Sequence, residues 1–304
     1  MRLVYFGTSN FAVPVLRALI GSIILVVSQP DGPSGRGKKL RVSPVKAAAE
    51  EIGIRVLTPE SARGPEFVEH VRSLEPDALV VASYGQILSE ALLQSAKRGG
   101  INLHASILPR YRGAAPIHRV ILDGETETGV TLMQMDKGMD TGEIIAIERL
   151  PIGPYETTGE LEVRLSSLAA GMAAKWLPTI VSGDYPRNPQ NDVWATLAPK
   201  MNRDDGLLKF QMSAEEAYRR FRACTPRPGS RIKTRFGVVK VLEARNAQGS
   251  GEPGEVLATG NNGVAIAFGA GALVFLRVQL EGKQSISAYA FANGRRLSPG
   301  SSLA

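Results

Sequence analysis

Short runs dominated by apolar side chains, separated by segments of helical period, constrain this chain more than any other feature. Leu3–Phe6, Ile23–Ser28, Ala78–Ser83 and Ile101–Leu103 read as strands, with Arg55–Leu57 as a shorter one. Val13–Ile20, Pro44–Ile52 and Glu66–Leu74 between them read as helices, the second opening on a proline where a missing N–H costs nothing. A strand without polar alternation is covered on both faces, and alternation with helices predicts a mostly parallel, Rossmann-like α/β sheet. Val130–Met135 and Ile144–Glu148 read as late antiparallel strands, and Gly159–Ile180 as one long helix.

Residues 182–206 break that rhythm. Ser182-Gly183-Asp184-Tyr185-Pro186 is a loop sequence, and Pro189 and Pro199 keep the backbone extended. The segment reads as a linker between a domain at 1–181 and a smaller one at 207–304. In the latter, Ala214–Ala223 reads as a helix. Arg231–Thr234, Val238–Glu243, Gly254–Ala258, Val264–Ala267 and Leu273–Gln279 read as strands between glycine-rich turns, the pattern of a small OB-like β-barrel.

Charge divides the same way. Residues 1–190 balance 20 basic against 20 acidic side chains, whereas 191–304 hold 16 against 9, so the whole formal charge of +7 lies in the C-terminal third. Such asymmetry suits contact with a polyanion, and equally a plain basic surface.

Several classes are disfavoured. No stretch approaches the roughly 18 apolar residues of a membrane span, and the N-terminus carries no leader pattern before its first strand. Cys224 has no partner for an internal disulfide, which suits a reducing cytosol; it reads as a half-buried structural thiol. None of His70, His104 and His118 is paired at ligand spacing, so no metal is expected, and His70 and His118 read as structural. Gly7-Thr8-Ser9-Asn10 is not the dinucleotide fingerprint, and the basic loop at 29–43 is not a Walker loop. Nothing resembles a coiled coil or a dimer stripe, so a monomer is expected.

Ligands of open parallel sheets bind beyond the carboxyl ends of the strands, where Gly7–Asn10, Tyr84–Leu88 and Asn102–Arg112 fall. Strand geometry puts Asn102 and His104 on one face, a carboxamide that can hold an oxyanion beside an imidazole that can handle a proton. Downstream, Asp136 and Asp140 lie four residues apart in a glycine-bearing loop. Asp in such turns often bonds only to its own backbone, and spacing alone does not show which carboxylate approaches His104.

Asn102-x-His104, the Ser106–Pro109 run and Asp140-Thr141-Gly142 together resemble the formyltransferase family that uses 10-formyltetrahydrofolate. Pro109-Arg110-Tyr111-Arg112-Gly113-Ala114-Ala115-Pro116, Gly129-Val130-Thr131-x-Met133-Gln134-Met135-Asp136, Tyr84-Gly85-Gln86-Ile87-Leu88 and Gly35-Arg36-Gly37-Lys38-Lys39-Leu40 resemble the branch that formylates aminoacylated initiator tRNA. The likeness runs from about Leu3 to Gln279-x-Glu281-Gly282-Lys283, with departures at the short Gly21-Ser22 turn, at Ile107, and at Arg227 where the family often has Trp.

The resemblance implies a catalytic trio. Asn102 would donate to the oxyanion, His104 would share that oxygen or move the proton, and Asp140 would orient His104. It implies a folate co-substrate along Tyr84, Gly85, Gln86, Ile87 and Leu88 and along Ser106, Ile107, Leu108 and Pro109, with backbone from Asp136 to Asp140 reading the pterin. The loop carrying Arg36, Lys38, Lys39 and Arg41 is then an arm that orders on the tRNA acceptor end, rather than a solvated surface loop.

Three rivals remain. A formyltransferase acting on a 4-amino-sugar nucleotide has little use for the basic arm and the one-sided charge. A purine-pathway enzyme needs a phosphate-binding glycine cluster at Gly7–Asn10 and no second domain. A non-catalytic tRNA-binding module leaves the trio without a purpose. The arm gives the first prediction: Lys38→Ala/Lys39→Ala raises the KM for tRNA and flattens its salt dependence, and an unchanged slope of log KM against log salt removes the arm from the contact.

Overall fold

In β1 (Leu3–Gly7) all five residues are buried, as two-sided coverage of an apolar strand requires. The computed structural model describes residues 1–34 and 39–304. Arg36 and Lys38 of the basic arm lie outside the described residues, as do the side chains of Lys39 and Arg41.

From β1 the chain passes through α1 (Ala12–Ala18) to β2 (Ile23–Val27). The short Gly21-Ser22 connection closes as a 3-10 turn at Ile20–Ser22. A small antiparallel pair follows, β3 (Gly32–Ser34) with β4 (Lys39–Arg41). Then come α2 (Pro44–Glu51), β5 (Val56–Leu57), α3 (Pro65–Ser73), β6 (Ala78–Ala82), α4 (Glu90–Leu93) and β7 (Gly100–His104). α2 starts where its proline predicts, with the Ser43 hydroxyl accepting from the Lys46 N–H at 3.1 Å. After α5 (Pro116–Leu122), the strands β8 (Glu127–Gln134) and β9 (Ile144–Pro151) precede the long helix α6 (Thr158–Ser182).

The seven strands run in the order β5-β2-β1-β6-β7-β8-β9. Pairing is parallel from β5 to β7 and antiparallel through β8 and β9, as the sequence predicts. One face of this sheet buries Val4, Phe6, Leu25, Leu79, Val81 and Leu92. Phe11, in the turn after β1, is 4% exposed and belongs to the core.

The chain divides into two compact units, one formed by Met1–Pro116, Glu127–Pro151 and Glu162–Pro199, the other by Ile117–Thr126, Ile152–Leu161 and Lys200–Ala304. Residues 182–199 thus fold with the first unit. Asn188 and Ile144 exchange backbone hydrogen bonds at 2.8 and 2.9 Å, and Arg112 pairs with Thr196 and Ala198 at 2.9 and 2.7 Å.

The second unit adds β10 (Leu207–Leu208), α7 (Ala214–Cys224), β11 (Ser230–Thr234), β12 (Gly237–Ala247), β13 (Val256–Gly260), β14 (Gly263–Ala267), β15 (Ala272–Leu280), β16 (Ile286–Ser287) and α8 (Ala288–Asn293). Its sheet runs β10-β11-β12-β15-β14-β13, with β16 also pairing β15. Every pair but β10–β11 is antiparallel. Its core gathers Phe210, Phe221, Phe268, Phe275 and Phe291 with aliphatic side chains. Cys224 is fully buried rather than half-buried, and burial pushes its thiol up to about 11, which suits packing and not nucleophilic work.

Leu79 lies in the centre of the first sheet with no exposed surface. Leu79→Ala is expected to destabilise that unit by about 2–5 kcal/mol. Chemical denaturation followed by circular dichroism measures the loss.

Candidate active site

Asn102 and His104 project from one face at the carboxyl end of β7, where they are 9% and 7% exposed. Buried polar groups need partners. The neighbouring strand supplies the route to one: β8 pairs with β7, setting Met133 opposite Asn102 and Thr131 opposite His104, and leads into the loop that carries Asp140. The turn to β9 starts beside the first residues of β7, where the Met135 N–H donates to the Gly100 carbonyl at 2.8 Å, and the loop folds back far enough for Asp140 to reach Asn102 and His104.

Asp140 resolves the ambiguity that spacing left open. Its Oδ1 accepts from Asn102 Nδ2 at 3.2 Å, and its Oδ2 lies 3.5 Å from His104 Nδ1 and accepts from the Gly113 N–H at 2.9 Å. Asp136 is exposed and bonds within its own turn, accepting from the Gly138 N–H at 2.9 Å and the Thr141 hydroxyl at 2.7 Å. It shapes the loop while Asp140 faces the strand.

The other nitrogen of His104 is also committed. Nε2 lies 2.9 Å from the Tyr111 carbonyl oxygen. A carbonyl only accepts, so Nε2 carries a proton, and Nδ1 is the nitrogen turned to the carboxylate. Asn102 has more to offer, since a carboxamide carries two N–H groups and one is engaged by Asp140.

The backbone around the trio adopts conformations that fix it. Asp140 has φ 57° and Tyr111 φ 62°, both left-handed, where a non-glycine residue is rare. Gly113, at φ 120°, places its N–H on Asp140 in a region that side-chain-bearing residues avoid. At Gly142 a Cβ would collide with the Gln134 carbonyl oxygen, so only glycine lets the loop close against β8.

The segments expected to line the folate differ in exposure. Tyr84 is buried edge-on against Phe6, its hydroxyl has no hydrogen-bond partner, and burial pushes it up to about 12. Gly85 is exposed at φ 93°, and Ile87 is 55% exposed while Leu88 is buried in the core. The Gln86 side chain accepts from the Ala62 N–H at 2.9 Å and donates to Gln29 and the Glu60 carbonyl, pinning the loop. In the second segment Ser106 and Leu108 are buried, with Ile107 and Pro109 half-buried. Thr131 links the ends of that turn, donating to the Ser106 carbonyl at 2.7 Å and accepting from the Leu108 N–H at 3.1 Å. Ile87 and Met139, the latter 53% exposed, are large apolar side chains open to solvent on these loops, which suits walls for a flat ring.

Three groups at the site carry no signal in the sequence: the Tyr111 carbonyl, the Gly113 N–H and the Gln190 side chain, which bonds the Asp140 carbonyl at 2.9 Å. Two are backbone groups, invisible in residue identity. Gln190 lies 50 residues downstream of Asp140 in a proline-bearing stretch that carries no motif. Among the described residues, no group of histidine, cysteine and acidic side chains could hold a metal ion, and no helix is long and apolar enough to cross a membrane.

A carboxamide, an imidazole and a carboxylate gather at the edge of the open α/β sheet, a set that can hold a developing negative charge and handle a proton. The family comparisons agree with that chemistry. Residues 1–179 match the formyl transferase model and residues 200–296 match the formyl transferase C-terminal domain model. The chain belongs to the formyl transferase family.

Among its relatives, methionyl-tRNA formyltransferase from Citrifermentans bemidjiense is 44% identical, over 100% of this chain and 96% of that protein. The methionyl-tRNA formyltransferase of Myxococcus xanthus is 44% identical over 99% of this chain and 97% of its own. Solved structures share the fold at lower identity. HypX from Aquifex aeolicus in complex with tetrahydrofolic acid is 17% identical with a TM-score of 0.67, covering 96% of this chain and 47% of that one, so this chain spans about half of HypX. An N-formyltransferase from Helicobacter canadensis, in complex with folinic acid and dTDP-3-aminofucose, is 20% identical with a TM-score of 0.68, covering 90% of this chain and 98% of that one.

Asn102→Ala and His104→Ala are each expected to lower turnover by about 10²–10³-fold, the usual loss for one electrostatic partner of the reacting atoms. Unfolding midpoints should stay near the parent's. A near-parental rate in either variant removes that residue from the site.

Proposed function

We propose that the chain transfers the formyl group of 10-formyltetrahydrofolate to the free amino group of initiator methionyl-tRNA, giving the N-formylmethionyl-tRNA used to start translation. The observation that carries this reading is the 44% identity to methionyl-tRNA formyltransferases along the whole chain, with the trio in place at one strand end.

In the proposed reaction the amine lone pair attacks the formyl carbon, the carbonyl oxygen gains charge, and the bond from that carbon to folate N10 breaks. One proton leaves the amine and one reaches N10. Asn102 is assigned the oxyanion, because its second N–H is the donor that the resting geometry leaves for it; one such donor is worth about 3 kcal/mol. The His104 Nε2 proton is held by Tyr111, so the proton route runs through Nδ1 and the Asp140 carboxylate. Asp140 also keeps Asn102 and His104 in register. No nucleophilic side chain takes part.

The same reading makes 1–181 the catalytic part and 207–304 a basic β-barrel that meets tRNA, with 182–206 between them and its 182–199 stretch packed on the first unit. The net charge of +7 beyond residue 190 supports that assignment. Register shifts at Val241–Ala244 in β12 and at Val256–Ala258 in β13 support the curvature a barrel needs. Folate contacts are assigned to Tyr84–Leu88, Ser106–Pro109 and the 136–140 loop, with the accessible Ile87 foremost. Arg36, Lys38, Lys39 and Arg41 are assigned to tRNA. The protein acts as a cytoplasmic monomer.

The deciding experiment supplies 10-formyltetrahydrofolate with charged initiator tRNA and, separately, with a 4-amino-sugar nucleotide. Formylation of the tRNA alone is expected, whereas sugar formylation without tRNA product overturns the reading.

A further inference from the structure

Gln190 faces two groups that fix its orientation. Its Oε1 accepts from Arg112 Nε at 3.1 Å and from an Arg112 terminal nitrogen at 2.7 Å, and a guanidinium only donates. Its Nε2 donates to the carbonyl oxygens of Asp140 at 2.9 Å and Gly142 at 2.7 Å, and a carbonyl only accepts. Arg112 is 7% exposed, and the terminal nitrogen that donates to Gln190 also pairs with Asp192 Oδ1 at 2.7 Å.

The segment bearing Gln190 is anchored on both sides. Asn188 exchanges backbone bonds with Ile144, just past the Asp140 loop, and Thr196 and Ala198 pair with Arg112. One side-chain amide therefore ties the carbonyls of residues 140 and 142 to a buried guanidinium. Asp140 is the left-handed residue of that turn, and its backbone sets the direction of the carboxylate that meets Asn102 and His104.

We propose that Gln190, seated on Arg112, is a positioning residue that holds the Asp140 loop in its reactive conformation; this rests on the formyl-transfer reading above. Gln190 touches no reacting atom. It acts by fixing the backbone from which the Asp140 carboxylate is aimed. Without the amide N–H groups, the 140–142 carbonyls lose their shared donor and the left-handed turn relaxes. The carboxylate then leaves the imidazole.

Two variants of the full chain test this. Gln190→Glu keeps acceptor oxygens for Arg112 but turns an oxygen toward the two carbonyls. Gln190→Met removes both interactions at similar volume. Both are expected to lower kcat by about 10–100-fold, because displacing a catalytic group by around 1 Å commonly costs that much. The KM values should stay within about threefold of the parent's, since no substrate contact is lost.

The second measurement is the histidine ring resonances, of which the sequence allows three sets, with the His104 set assigned by its loss in His104→Gln. In both variants the His104 signals move while those of His70 and His118 stay. The proposal is overturned if the His104 signals keep their parental positions in Gln190→Glu, whatever the rate. It is equally overturned if kcat in both variants remains within about twofold of the parent's. If the parent formylates neither tRNA nor sugar, the substrate reading fails, and the resonances alone still decide whether Gln190 positions the Asp140–His104 pair.

Discussion

A strand buried on both faces cannot end in two polar side chains unless something satisfies them there, and β7 ends in Asn102 and His104. Water is largely excluded, so an unmet carboxamide or imidazole costs about 1–3 kcal/mol each. The Asp140 carboxylate accepts from Asn102 and from the Gly113 N–H and lies 3.5 Å from the His104 ring, whose Nε2 proton goes to the Tyr111 carbonyl. Much of the first unit's local structure follows from delivering those groups. β8 reverses the sheet direction so that its far end returns beside β7, and glycine at 142 lets the following loop close.

The second unit solves a different problem. Its two longest strands, β12 and β15, pair along most of their length, and its core is filled by large side chains. Phe210 and Phe268 pack at 5.8 Å between ring centroids, and Phe268 and Phe275 at 6.4 Å. Basic residues are built into this scheme. Arg295 lies over the rings of Phe291 and Phe236 at 3.9 and 5.4 Å, and Arg231 pairs with Asp204 at 2.8 Å. Part of the excess positive charge thus has a packing role, while Lys209, Lys233 and Lys240 appear in none of the ion pairs among the described residues.

The parallel sheet was legible because Leu3–Gly7, Ala78–Ala82 and Gly100–His104 are apolar enough to leave no alternative, and their ends were placed within a residue or two. Asn102 and His104 were legible as a pair because strand period is a local property. The choice of Asp140 over Asp136 was not, since both sit near glycine and only the fold shows which carboxylate turns inward. The full burial of Cys224 is not legible either, since a lone cysteine carries no signal of depth. The strand expected at Gly254–Ala258 runs instead over Val256–Gly260, after Gly254 donates its N–H to Ala267 and Glu255 closes a turn onto Glu252. Backbone donors at the site left no trace in residue identity at all.

The tie from Gln190 to Asp140 also bears on the order in which the protein is made. A ribosome synthesises the chain from the N-terminus, so Asn102, His104 and Asp140 emerge well before the amide that grips the 140–142 carbonyls. The sheet can assemble once β9 is out, yet the loop that completes the site waits for a stretch of chain beyond α6. A nascent chain ending at Ser182 therefore holds Asn102, His104 and Asp140 without the amide that bonds the carbonyls of Asp140 and Gly142.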